Sequence, residues 1–379
     1  MNQALLDLGE LREAVRDVLE TESAPDRVRR AIEGDSWLCE QLWPQLAQLG
    51  WLGLGVSTDY DGLGGGPSEL CVLYQEFGRH LTSVPLLSTL LAAQALSLAG
   101  TEAVRREQLP QIVAGAVTAA VAIDETVVVN GAVRRAGGLE LSGRIDFVLD
   151  AEGAAFLIAA VRDTGGTLHL VLLKNTEYRA ERVRMWDPTR RPVCAQLDAV
   201  VVPPERVLAS GSRAEAVRAQ LLAHARLAIA ADSIGAAQRI FEQTLEYMKV
   251  RVQFDRPIGS FQALKHRAAD LKVLLESSAA ALQRAQELAA DDDPSATLWC
   301  ALAKANACEM YAFVAADCLQ LHGGIGFTWD HDAHLHVKRA ELNQTLFGDT
   351  FTLQLECADQ LWPAAAPQQK NSQATASGR

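Results

Sequence analysis

Residues 251–266 read RVQFDRPIGSFQALKH. The stretch separates two long segments of helical spacing. Upstream, Leu227, Ile234, Phe241 and Met248 recur every seven residues, with Ala230 and Ala237 between them. Downstream come Leu264, Ala268, Leu271, Leu275 and Leu282, with the small Ser278, Ala285 and Ala289 on the same stripe. This spacing predicts two amphipathic helices, each with one apolar seam. Pro257 removes a backbone donor and disfavours helix at Arg256, which puts a corner there. Gly259 permits a second bend. Arg251 falls in the last turn of the first helix and Gln262 in the first turn of the next. A guanidinium is a bidentate phosphate donor, and phenylalanine offers a flat face to a ring system. The plainer reading of the same corner is a helix hairpin with an arginine on the helix C-terminus.

The pattern on either side sets the architecture. Asp291-Asp292-Asp293-Pro294 closes the second helix and opens a third, and a fourth is predicted from about 330 to 361. Four long helices with short links predict an antiparallel four-helix bundle over 205–362. In 117–204 the segments TAAVAI, LELSGRIDFVL, AAFLIAAV, TLHLVLLK and CAQLDAVVVP are short, β-rich and separated by turn residues. They predict a small barrel or sandwich. Residues 1–116 are Leu/Ala-rich with helical spacing, broken at STDYDGLGGGPSE (57–69), where Pro67-Ser68-Glu69 reads as a helix start. The tail 363–379 is polar, small and aromatic-free, which predicts disorder. The fold class is therefore α+β, mainly α: an N-terminal helical domain, a central β-barrel or sandwich, and a C-terminal four-helix bundle.

Composition narrows the function. The 379 residues are 49% hydrophobic, enough for a sizeable core, and carry a net charge of −12. That charge argues against nucleic acid as a partner. No uncharged apolar run reaches ~18 residues, so no membrane span is expected. The acidic, amphipathic first twenty residues lack the features of a secretory signal, and a cytoplasmic location is expected. Seven scattered cysteines with no CxxC fit buried thiols rather than disulfides or zinc.

A second stretch, LQLHGGIGFTWDHDAHLHVKRA (319–340), places Gly323, Gly324 and Gly326 where backbone can approach a ligand closely. It is neither a Walker loop nor a GxGxxG turn after a strand. Its glycines also suit a plain junction between helices. His331, His334 and His336 beside Asp330 and Asp332 match no recognised ligand spacing, so no metal is expected.

Taken together, the two stretches resemble the acyl-CoA dehydrogenase family. Its bundle hairpin reads R-x-Q-F-x-x-P-I-x-x-F-Q and its later turn Q-x-x-G-G-x-G. Here these are Arg251, Gln253, Phe254, Pro257, Ile258, Phe261 and Gln262, then Gln320, Gly323, Gly324 and Gly326. GWLGLGVSTDYDGLGGGPSELCVLYQEFGR (50–79) and MWDPTRRP (185–192) resemble two further family signatures, so the likeness covers about 5–362. It implies FAD, held partly across a subunit boundary. By resemblance Arg251 contacts the diphosphate, Phe254 and Gln262 flank the adenosine half, and Gln320, Gly323 and Gly324 contact the adenine end. Gln253, His322 and Thr350 complete the implied cofactor set.

The family reaction takes the α proton of an acyl-CoA with a carboxylate and passes the β hydrogen to the flavin as hydride. A glutamate is the usual base, at one of two places. The family's Tyr-Glu-Gly-Thr is here Phe347-Gly348-Asp349-Thr350, and at the other place Ala225 stands in LLAHARLAIAAD (221–232). The family's Thr-Glu-Pro-x-x-Gly-Ser-Asp flavin loop has only Glu125-Thr126 as a counterpart. Two readings follow from the resemblance. In one, Asp349 is the base of a self-sufficient homotetramer, against its alternative role as a turn cap; His224 is a further polar group nearby. In the other, this chain is the glutamate-lacking half of an α2β2 heterotetramer with a second acyl-CoA dehydrogenase chain, acting on a bulky, branched or sterol side-chain acyl-CoA. Electron-transfer flavoprotein is the implied acceptor. A non-enzymatic scaffold subunit is the remaining alternative.

Overall fold

The computed structural model describes residues 7–34, 39–124, 131–135 and 138–361. The expected disordered tail and Glu125-Thr126 lie outside them. Six helices come first: α1 (Leu8–Glu22), α2 (Pro25–Glu33), α3 (Cys39–Gln48), α4 (Pro67–Arg79), α5 (Leu86–Ala99) and α6 (Glu102–Val113). The start of α4 is the one Pro67-Ser68-Glu69 announces: Glu69 Oε2 accepts from Gly66 N at 2.8 Å. Helix α5 is apolar all round and buried along nearly its whole length.

Eight strands follow: β1 (Ala119–Ala122), β2 (Gly131–Arg135), β3 (Gly138–Leu149), β4 (Phe156–Arg162), β5 (Leu168–Lys174), β6 (Arg179–Arg182), β7 (Pro192–Val202) and β8 (Val207–Ser210). They form two four-stranded sheets, β1-β4-β5-β8 and β2-β3-β7-β6. This is a sandwich; among the described residues no closed barrel forms. Leu157, Ala159 and Val161 face the second sheet and join its core with Leu141, Ile145 and Ala195. Their alternates Phe156, Ile158 and Ala160 pack with the helices. Burial on both faces is why β4 and β5 read as unbroken apolar runs.

The bundle consists of α7 (Ser212–Val250), α8 (Gln262–Ala290), α9 (Ala296–His322), α10 (Ala333–Thr345) and α11 (Thr350–Leu361). Leu227, Ile234, Phe241 and Met248 are all buried, as their spacing predicts. The single fourth helix expected from 330 to 361 is instead two. Phe347 (φ 55°) and Gly348 (φ 102°) both take left-handed backbone conformations, which ends α10 and forces a corner before α11.

Two features lock these layers together. A Cβ on Gly78 would lie 2.1 Å from Asp232 O, and one on Gly235 would lie 1.8 Å from Gln75 O. The backbones of α4 and α7 therefore touch, which only glycine allows. Beside that contact, Arg339 of α10 is fully buried. Its Nε donates to Asp187 at 2.7 Å and its Nη1 to Asp232 at 3.1 Å. Arg190 also donates to Asp232, at 2.9 Å, and Asn343 Nδ2 does so at 2.9 Å. Burial opposes the charge of Arg339, but Asp187 and Asp232 outweigh it and raise its pKa. The β-domain segment 187–190 is thus bolted to α7 and α10. Removing one partner from such a buried ion cluster typically costs about 3–5 kcal/mol.

Candidate active site

The hairpin after α7 is built from two short strands, β9 (Val252–Gln253) and β10 (Arg256–Pro257), paired Gln253 to Arg256 and Val252 to Pro257. The chain reverses at Phe254-Asp255 rather than at Pro257, which sits in the second strand. Phe254 (φ 54°) and Asp255 (φ 60°) are both left-handed, the two-residue turn that hairpins favour, here without a glycine. The missing Asn-Gly signal is why the sequence pointed to the proline. Gly259 has no positive φ; its role is closeness, since a Cβ there would lie 2.9 Å from Met248 O.

The hairpin protrudes. Arg251, Gln253, Phe254 and Gln262 are all exposed, Phe254 at 86%. Arg251 follows the last residue of α7, and Gln262 opens α8. Arg256 lies over the ring of Phe261 at 4.0 Å, and Phe254 meets the same ring edge-on at 6.1 Å. The turn is stiffened by these contacts and its outer face is left open.

The glycine turn lies at the same end of the bundle. Tyr247, one turn before Arg251, stacks on His322 with ring centres 4.7 Å apart. Gln320 is exposed, and His322 is buried and binds Cys318 O through Nδ1 at 2.8 Å. A Cβ added to Gly323 or Gly324 would meet nothing within 4 Å. Free space beside two glycines, an exposed arginine and an exposed phenylalanine fit one end of a dinucleotide. The arrangement leaves Arg251, Phe254, Gln262, Gln320 and the Gly323-Gly324 backbone available to hold FAD, with His322 supporting the turn from below.

Asp349 and Thr350 sit elsewhere. They follow the corner after α10, whose 13 residues span about 20 Å and separate them from the glycine turn. Within one protomer the two sets are not brought together. A cavity of about 270 Å³ opens beside this corner, lined by Ser88 of α5, Val121–Asp124, Asp146 and Phe147 of the sheets, and Thr345–Phe347. Asp349 is not part of its wall. Its carboxylate caps α11, accepting from Thr352 N at 3.0 Å and from the Thr352 hydroxyl at 2.5 Å. Those bonds hold its pKa below the ordinary aspartate value. Thr350 Oγ1 is buried and has no hydrogen-bond partner.

Neither glutamate place offers a base. Gly348 has no side chain, and a Cβ there would lie 3.0 Å from Leu353 Cδ2 on a backbone at φ 102°. Ala225 is fully buried. Burial pushes the pKa of neighbouring His224 down, and its Nδ1 has no partner. Asp146 reaches the cavity but pairs with Arg144 at 2.6 Å.

Two cations missed by sequence reading shape the corner. Lys304 is wholly buried, and its Nζ donates to Gln344 O at 2.9 Å and Gly348 O at 2.6 Å. Arg226 Nε donates to Phe347 O at 3.1 Å. Three carbonyls at the C-terminal end of α10 are thus held by positive charge. The signal was a single lysine inside the apolar run WCALAKANACEMYAFVAADC. Among the described residues no cluster of three or more potential metal ligands occurs, and no helix is long and apolar enough to cross a membrane.

Family comparison accounts for this layout. Residues 7–116 match the model for the acyl-CoA dehydrogenase N-terminal domain, and residues 215–359 that for its C-terminal domain. The chain belongs to the acyl-CoA dehydrogenase family. These are FAD-dependent oxidoreductases acting on CH–CH bonds. Acyl-CoA dehydrogenase IpdE2 of Mycobacterium tuberculosis is 35% identical over 331 residues, 87% of this chain and 89% of that protein. FadE34 of the same organism is 32% identical over 81% of this chain, but the match spans only 40% of FadE34. The solved structure of a variant of the Tcur3481-Tcur3483 steroid ACAD superposes with a TM-score of 0.84 at 31% identity, covering 94% of this chain and 98% of its own. Within this acyl-CoA dehydrogenase fold, the hairpin residues Arg251, Phe254 and Gln262 are exposed, while Gly348 and buried Ala225 carry no acidic side chain.

Proposed function

We propose that this chain is one subunit of a two-chain acyl-CoA dehydrogenase, in which it supplies the dinucleotide clamp and a partner of the same family supplies the catalytic glutamate. The observation that carries the reading is the contrast at the two family positions. Gly348, in a backbone conformation that side-chain-bearing residues rarely adopt, and buried Ala225 stand where the resemblance places a base, while the clamp residues Arg251, Phe254 and Gln262 are present and exposed. The paired name of the Tcur3481-Tcur3483 steroid ACAD supports a two-chain assembly, α2β2 by resemblance, and a steroid-derived acyl-CoA. FadE34, of which the match covers 40%, has room for a second unit of this size.

FAD seated against the clamp supplies the acceptor for the substrate's β hydrogen. Arg251 binds the diphosphate through its guanidinium, Phe254 and Gln262 flank the adenosine half, and Gly323-Gly324 let the backbone approach the adenine end. Asp349 is a structural cap. Electron-transfer flavoprotein receives the electrons.

The test is co-expression with candidate partner chains, reading FAD per chain and assembly mass. About half a flavin per chain, found only in a mixed complex, is the expected result. A yellow homotetramer that turns over an acyl-CoA alone, and loses activity on Asp349→Asn, would overturn the reading.

A further inference from the structure

We infer that three contacting rings, Tyr247 stacked on His322 and His331 tilted against it, set the spacing between the two halves of the clamp and so act as positioning residues for dinucleotide retention. The inference rests on the clamp reading above.

The rings join three separate elements. Tyr247 belongs to the last turn of α7, directly under the hairpin. His322 is the last residue of α9, directly before Gly323. His331 sits just ahead of α10. Tyr247 and His322 are nearly parallel, 30° apart at 4.7 Å, and His322 and His331 are 4.2 Å apart at 47°. The Tyr247 hydroxyl also reaches His322 O at 3.4 Å. A shift of α7 relative to α9 would therefore move Arg251 against the glycine turn and break the stack at once.

Each ring is held from its own side. His322 Nδ1 faces Cys318 O at 2.8 Å, a carbonyl, so that nitrogen carries the proton. His331 Nδ1 accepts from Ala333 N at 3.1 Å, so the proton of its neutral form is on Nε2. The two imidazoles are thus complementary neutral tautomers. The segment carrying His331 is tied to the N-terminal helices by Arg29, which pairs with Asp332 at 2.6 Å. A helix junction needs no such ladder: α9 could end at Gly323 with its glycine cap alone. The ladder lies under the open space beside Gly323 and Gly324.

The experiment uses the co-purified complex with FAD. Tyr247→Leu and His331→Leu should each weaken FAD retention about tenfold by fluorescence titration, with little change in the far-ultraviolet circular dichroism. His331→Phe, which keeps a ring, should retain FAD better than His331→Leu. Arg251→Ala is run in parallel. If Arg251→Ala loses FAD while both leucine variants keep it, the stack does not position the clamp and this inference is overturned. If Arg251→Ala also keeps FAD, the clamp reading itself is wrong. If Tyr247→Leu fails to fold, the phenylalanine and leucine pair at 331 decides, and if His331→Leu fails, Tyr247→Phe against Tyr247→Leu decides: equal retention within the pair refutes the inference.

Discussion

The two ends of α10 differ in what surrounds them. Near its start lie the residues of the proposed clamp, of which Arg251, Phe254, Gln262 and Gln320 are exposed. At its end, the corner at 347–350 has a cavity beside it but a glycine, a cap and a buried lysine where chemistry would be done. The same helix thus joins a furnished half-site to an unfurnished one. Exposure at one end and self-satisfaction at the other support the proposal that a neighbour completes the site. A free-standing enzyme would hold both halves itself.

The largest test of this contrast is to remove what bolts the two ends to a common frame. Arg339→Leu leaves Asp187 and Asp232 buried without their cation and should cost about 3–5 kcal/mol in a denaturant melt. Both ends should loosen together; loss of protection from hydrogen exchange at only one end would show that α10 is not the shared element.

Acid should pull the two ends apart. Burial pushes the pKa of His336 down to about 3, and lowers those of His322 and His331. Their neutral forms suit the folded state, so their contribution is intact above the unfolded value of about 6.5 and is lost as pH falls below it. For His336 alone this amounts to about 3 kcal/mol by pH 4. At the cavity end, burial raises Asp150, held by Ser88, to about 6. That raised value destabilises at neutral pH, and the penalty is relieved as pH falls from about 6 towards the unfolded value. Hydrogen exchange between pH 7 and 5 should therefore show the clamp end opening first.

Arg251→Ala should lower FAD affinity of the complex about tenfold to hundredfold, the usual scale for charge-assisted hydrogen bonds, without altering stability. Gly324→Ala sharpens the point, because its Cβ meets nothing in the protein. It should leave the melting temperature unchanged and still reduce FAD retention. The smallest effect is expected at Asp349→Asn, which preserves an N-cap: turnover by the mixed complex should not change measurably.

Most of the fold was legible because it rests on periodicity. The seven-residue recurrence at Leu227, Ile234, Phe241 and Met248 is a direct imprint of one buried helix face. The strands missed, β2, β6 and β8, are short or lie outside such a pattern. The split of the last helix was missed because Phe347 in a left-handed conformation leaves no compositional trace. In the site, motif residues were found where they stand close in sequence. Lys304, Arg226 and the Arg339 cluster act across 40 to 150 residues, and no local pattern reports them. A charge within an apolar stretch of helix was the one clue, and Lys304 and Asp232 show it; Arg339, beside Lys338 and Glu341, does not.

The reversal at Phe254-Asp255 carries an energetic consequence. Two non-glycine residues held left-handed cost roughly 1–2 kcal/mol each, and Phe254→Asn with Asp255→Gly would give the isolated chain an easier turn. Such a double variant should melt higher and assemble into a poorer flavoprotein. A strained fingertip is a cost to the lone molecule, one that the proposed clamp would offset only once the assembly forms.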